Sequence, residues 1–221
     1  MDLRVEVAGE ELLLMHERAV YWTAARTLLV ADLHLGKGAA FRSLGVPVPR
    51  GSSMSTLERL RTCIDRTGCE RVVALGDLMH ATRGLTEDLL REVARWRQTV
   101  GAEMLLIRGN HDKALEILAD ALDATVCGAC EVQPPFAFVH ELQQVPEAYA
   151  LSGHIHPCVL LHGFGNQAMR APCFWLKESG AVLPAFGDFT GCAQVIPSAG
   201  DRVFVCIEDA VAQVHLSQSN G

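Results

Sequence analysis

The sequence predicts an α/β domain: a two-sheet β-sandwich flanked by helices. Three observations carry that expectation. Short apolar runs alternate with helical patterns through the first half. Those runs, such as Thr27–Ala31, lack polar alternation and so read as strands buried on both faces. The second half, over residues 158–215, shows no 3.6-residue period and is rich in further strand-like runs. The chain has 221 residues, 49% hydrophobic and 20% charged, enough for a self-sufficient core and against a disordered chain. One domain over 1–221 is expected.

The elements follow in chain order. Val5–Val7, Leu12–Met15 and Ala19–Trp22 read as short opening strands. Thr27–Ala31 ends at Asp32. Residues 53–67 place Met54, Leu57, Leu60 and Ile64 on one helical face, and Gly68 supplies a stop. Arg71–Leu75 ends at Gly76 and Asp77. Residues 86–100 open with Thr86 as N-cap and Glu87 and Asp88 in the first turn. They carry Leu89, Val93, Trp96 and Val100 inward, with Gly101 at the end. Met104–Ile107 ends near Gly109-Asn110-His111-Asp112, and residues 113–122 form a shorter helix. Phe136–Val139 ends at His140, and Tyr149–Ser152 at Gly153-His154. Val159–Leu161, Phe174–Leu176, Ala181–Leu183 and Val203–Ile207 are further strands.

Composition narrows the function. The net charge of −7 speaks against broad nucleic-acid binding through a basic surface, while leaving room for a local basic patch. No apolar run reaches the roughly 20 residues that span a bilayer, and the first residues lack a signal-peptide layout, so a cytoplasmic protein without a membrane partner is expected. Eight cysteines do not imply staples in a core-rich chain of this size. Cys127 and Cys130 form a single C-x-x-C without the second pair a structural zinc site needs, so the thiols are expected to be buried or idle.

The polar residues at the strand ends are more telling, because ligands of α/β sheets bind at carboxyl ends of strands. Asp32 with His34, Asp77, Asn110, His140, and His154 with His156 all fall there. Each block alone is weak. Asp-x-His is a common surface coincidence, His140 alone reads as a buried histidine, and Gly-Asn suits a turn. Together they supply oxygen and nitrogen ligands without a cysteine, a set suited to Mn²⁺, Fe or Zn²⁺. Seven ligands exceed one tetrahedral ion and suit two ions sharing a carboxylate, the arrangement that clamps both oxygens of a displacement at phosphorus.

The order D-x-H, G-D, G-N-H-D, H, G-H-x-H resembles the calcineurin-like metallophosphoesterases, whose fold has αββα layers. Residues 31–37, 75–80, 153–157 and 183–191 further resemble the bacterial ligase-associated DNA damage response endonucleases, the PdeM family. That resemblance implies a dinuclear-metal-dependent phosphodiesterase using a metal-activated hydroxide, a DNA endonuclease linked to repair, with two divalent ions, most readily Mn²⁺. It places Asp32, His34 and His156 on the first ion and Asn110, His140 and His154 on the second, with Asp77 bridging. His111 becomes the general acid. Asp112 orients it, or caps the following helix. DNA ligase, helicase or exonuclease partners are implied by the same resemblance. Lys37, Arg42, Arg50, His80 and Arg83 are candidates for holding the phosphodiester, with a solvated or loop role as the plainer reading of each. His16, His162 and His215 match no motif and read as structural. Small nucleotides or phosphomonoesters are the alternative substrates, and a non-catalytic scaffold on the same fold is the minor alternative.

Overall fold

A computed structural model describes residues 1–49, 51–79, 81–110, 115–162, 168–188 and 190–214. The chain opens with a meander, β1 (Leu3–Val7), β2 (Glu10–Leu14), β3 (Val20–Trp22) and β4 (Thr27–Ala31), each strand antiparallel to the last. Helices α1 (Lys37–Ser43) and α2 (Ser52–Thr67) lead to β5 (Arg71–Leu75), then α3 (Glu87–Arg97), β6 (Glu103–Ile107), α4 (Leu115–Leu122) and β7 (Ala124–Cys127). From β4 to β7 every pairing is parallel, which completes a seven-stranded sheet in sequence order.

The second half builds the other sheet. Its strands are β8 (Cys130–Gln133), β9 (Phe136–Val139), β10 (Tyr149–Ser152), β11 (Pro157–His162), β12 (Ala168–Leu176), β13 (Gly180–Val182) and β14 (Ala193–Gln194), then the hairpin β15 (Arg202–Ile207) and β16 (Ala210–Val214). They run in the order β14-β11-β12-β13-β10-β9-β8, with β15 beside β12 and β16 beyond it. β9 and β13 both lie parallel to β10.

Side-chain alternation explains the layering. In β4 and β5, Leu28, Val30, Val72 and Ala74 face a core built with Leu57, Leu60 and Ile64 of α2, Val93 and Trp96 of α3, and Leu118 of α4. Their neighbours Leu29, Ala31, Val73 and Leu75 face the second sheet, against Phe136, Phe138, Leu151, Phe174 and Phe204. Strands β4 and β5 are thus buried on both sides, as their unbroken apolar runs predict, while β1 and β2 keep an exposed face. Burying each of the large aromatics in the inter-sheet layer contributes about 1.5–3 kcal/mol relative to exposure.

Helix boundaries match the residue chemistry in most places. Thr86 caps α3 by accepting a hydrogen bond from the Leu89 amide at 3.2 Å. Helix α2 stops at Gly68, which takes the left-handed conformation at φ 59°. Two features differ from expectation. Helix α3 ends at Arg97 rather than reaching 100, although Val100 is still buried. The seven-residue α1 was not expected at all; its glycine-rich start (Gly36, Lys37, Gly38) hides it from a propensity reading. Of the helix expected over 113–122, Leu115–Leu122 is observed and residues 113 and 114 lie outside the described residues.

The thiol expectation needs a correction. Cys63, Cys69, Cys173 and Cys206 are buried and free, but Cys158 and Cys192 form a disulfide. Parallel pairing of β14 against β11 brings together two cysteines 34 residues apart, which no local pattern announces.

Candidate metal centre

The carboxyl ends of β4, β5, β9 and β10 meet at one edge where the two sheets adjoin. Backbone hydrogen bonds stitch those ends together. The His34 amide donates to the Asp77 carbonyl at 3.0 Å and the Gly153 amide to the His140 carbonyl at 3.0 Å. The Phe186 and Gly187 amides donate to the carbonyls of Ala31 (2.7 Å) and Asp32 (3.1 Å). The strand ends are unusual in conformation as well as position. Asp32, His34, Asp77, His154 and His156 all have φ between 37° and 74°. Non-glycine residues rarely adopt this region, and clusters of them collect where a site over-determines the backbone.

That turn geometry gathers six side chains into two groups. Asp32, His34 and His156 form one, and Asp77, His140 and His154 the other. Within each group, three potential ligand atoms lie within 4.8 Å of one another. His34 Nε2 faces His156 Nε2 at 3.2 Å, and His156 Nε2 lies 3.6 Å from Asp32 Oδ2. In the second group His140 Nε2 lies 3.1 Å from His154 Nδ1 and 3.5 Å from Asp77 Oδ1. The groups adjoin, since His140 Nδ1 is 3.8 Å from Asp32 Oδ1 and the His154 amide donates to Asp32 Oδ2 at 2.8 Å.

The donor chemistry fits divalent ions. Asp32 is fully buried, and its Oδ1 is a buried acceptor with no hydrogen-bond partner among the described residues. A buried carboxylate oxygen left so is costly unless a cation approaches it. His140 Nδ1–H donates to the Leu75 carbonyl at 3.3 Å, and His156 Nδ1–H to the Gly191 carbonyl at 3.1 Å. Each bond leaves Nε2 as the free lone pair turned toward the carboxylates, the arrangement that orients ligating histidines in metal sites.

The other sequence candidates fall around this centre. Asn110 is exposed in the turn that follows β6. His111, Asp112, His80 and Arg50 lie outside the described residues, as do His215 and the side chain of His162. Lys37 is half-buried; burial pushes its ammonium below the ordinary range, against the pull of the Asp32 and Asp77 carboxylates. Arg42 is engaged by the carbonyls of Val48 (3.3 Å) and Pro49 (3.0 Å), and Arg83 is exposed. His16 pairs with Asp2 at 2.8 Å, away from the centre in a separate network with Arg66. Residue types gave no hint of the two carbonyls that orient the histidines. The nearest signal was the block around Gly191.

No family model matches the chain, and no curated protein does. Among solved structures, the nuclease MPE of Pseudomonas putida is 33% identical, with a TM-score of 0.82, and the match covers 97% of this chain and all of that one. The chain belongs to the metallophosphoesterase family that includes this nuclease. A looser likeness links it to Yfce, a phosphoesterase from E. coli, at 14% identity and a TM-score of 0.43 over 85% of this chain and 97% of that one. By its membership of the family that includes the Pseudomonas putida nuclease, this metallophosphoesterase is a metal-dependent hydrolase of phosphoester bonds, with two candidate metal-binding groups at the strand ends. No helix among the described residues is long and apolar enough to cross a membrane.

Proposed function

We propose that this metallophosphoesterase is a DNA-cleaving phosphodiesterase with a dinuclear centre, acting on repair intermediates. The observation that carries the reading is the pair of adjoining Asp/His groups in a chain one-third identical to a nuclease over nearly its whole length. In this reading Asp32, His34 and His156 hold one ion; Asn110, His140 and His154 hold the other, and Asp77 serves both. Manganese is the expected metal. Ligases, helicases or exonucleases of DNA repair are the expected partners, in the cytoplasm.

Bound there, two divalent ions would supply Lewis acidity and the positive charge that a phosphodiester's oxygens require. The chain's own residues do the rest. The Leu75 and Gly191 carbonyls hold the tautomer and direction of His140 and His156. Lys37, half-buried and within the field of the Asp32 and Asp77 carboxylates, would offer its ammonium to the substrate's anionic oxygens. His111, next to Asn110 in the Gly109–Asp112 block, protonates the leaving oxygen, with Asp112 orienting it.

The test is a substrate panel at fixed salt with Mn²⁺: duplex and single-stranded DNA, a model phosphodiester and small nucleotides. DNA cleavage is expected to be abolished by Asp77→Ala and lowered about 10²–10⁴-fold by His111→Ala. Absence of diester hydrolysis with Mn²⁺, Fe²⁺ and Zn²⁺ alike, or full activity in Asp77→Ala, sinks the reading. The net charge of −7 favours small nucleotides as a second substrate class, and a panel in which they outrun DNA selects it.

A further inference from the structure

We propose that Cys158 and Cys192 are a redox site that sets how firmly the first Asp/His group holds a divalent ion. The inference rests on reading His156 as a metal ligand.

The geometry is local. Cys158 lies two residues after His156 and is fully buried, while Cys192 follows Gly191 and is half-buried. Their Cα atoms are 5.7 Å apart, within the ordinary range for a disulfide. The carbonyl of Gly191 accepts the Nδ1–H of His156 at 3.1 Å, so the residue next to Cys192 sets the direction of the His156 ring. Among the described residues, the segment carrying that carbonyl is held by a short strand pairing and two backbone hydrogen bonds. β14 is only two residues long and both are exposed. It is tied by the Ala193 amide to the His156 carbonyl (3.0 Å) and by the Val195 amide to the Cys158 carbonyl (2.9 Å). The disulfide is the covalent member of this clasp.

The remaining buried thiols do not compete for the role. Burial pushes the Cys69 thiol up and Cys63, Cys173 and Cys206 up to about 12, which disfavours the reactive thiolate in all four. At the pair, chemistry can begin on the half-buried partner. A small thiolate attacks the Cys192 sulfur, the S–S bond breaks, and Cys158 leaves with the electron pair and takes a proton. A second small thiolate attacks its counterpart's sulfur in the mixed disulfide and releases Cys192 as a thiol. The two electrons pass from two small thiols, which end as one small disulfide; oxidation by such a disulfide is the reverse. Reduction removes the covalent clasp, loosens the Gly191 carbonyl and leaves His156 less well oriented.

The experiment equilibrates the full chain with oxidised or reduced glutathione, counts thiols, and titrates Mn²⁺ by calorimetry. Oxidised protein should show six thiols of its eight. Reduced protein should bind one Mn²⁺ about tenfold more weakly, the low end of what losing an orienting partner of a ligating histidine costs. Cys192→Ser, and Cys192→Ala as a second test of folding, should bind like the reduced form under both treatments. Cys130→Ser, an exposed thiol outside the pair, should behave like the wild type. Eight thiols after oxidation, or equal Mn²⁺ affinity in the two redox states, overturns the proposal. The ligand reading is read out separately. If His156→Ala still binds as many ions as the wild type, that reading has failed and the coupling with it, while the thiol count reports the disulfide regardless.

Discussion

Individual backbone conformations at the strand ends are where the fold concedes most to the site. Five of the gathered Asp and His residues sit at positive φ, and the glycine before Asp77 shares it at φ 68°. At Gly76 the constraint is also steric. A Cβ there would meet His140 Nδ1 at 2.1 Å and its Cγ at 2.3 Å. No carbon fits at those distances, so Gly76→Ala must displace the His140 ring. The ring would leave the Leu75 carbonyl and Asp77 together. The substitution is expected to cost about 1–3 kcal/mol from backbone strain and to lose one bound ion. Thermal unfolding with and without Mn²⁺ checks it: the metal-induced rise in Tm should shrink relative to wild type. Gly101→Ala, whose Cβ meets nothing within 4 Å, is the control and should leave that rise intact. A full metal response in Gly76→Ala would show that His140 is not needed for ion binding.

Single elements divide into those whose sequence announces them and those that tertiary context creates. Helix α3 belongs to the first kind. Thr86 accepts from Leu89, Glu87 and Asp88 favour the N-terminal dipole, Arg95 and Arg97 the C-terminal one, and Val93 and Trp96 fill the core. Thr86→Ala is expected to cost about 1 kcal/mol. It should lower the urea midpoint without changing diester hydrolysis, because the cap touches none of the six gathered side chains. An unchanged midpoint would mean the cap contributes nothing. The parallel strands were legible for the same reason: their residues are apolar on both faces, so Asp32, Asp77, His140 and His154 stand out at the ends. Helix α1 was not legible, since its seven residues start among glycines and its place is fixed by neighbours rather than propensity. Nor were the Leu75 and Gly191 carbonyls or the Cys158–Cys192 pair, because backbone groups have no residue code and a disulfide closes only once β14 reaches β11.

The whole molecule brings two half-chains of opposite character to one edge: an α/β half contributing Asp32, His34 and Asp77, and a strand-rich half contributing His140, His154 and His156. Phe186 and Gly187 bond across to Ala31 and Asp32, so the seam and the site share the same backbone contacts. The surface adds little cationic help. Net charge is −7, and many arginines are already matched: Arg4 with Glu11, Arg26 with Glu70, Arg61 with Glu58, Arg66 with Asp2 and Glu17, Arg91 with Glu87 and Asp88, and Arg108 with Glu116. The pairs exposed on both sides, such as Arg4–Glu11 and Arg91–Asp88, contribute only about 0–1 kcal/mol each to stability, yet all of these pairs lower the net positive field a nucleic acid meets. On the proposed function, DNA is then held chiefly at the metal centre, with few side-chain contacts to phosphate. Each neutralised phosphate steepens the dependence of log affinity on log salt by about 0.9 for duplex DNA, so a slope between about −1 and −3 is expected. The measurement is kcat/KM for a short duplex at fixed Mn²⁺ as KCl is raised. A slope of about −6 or steeper would reveal a broad cationic face and refute a binding mode centred on the metals.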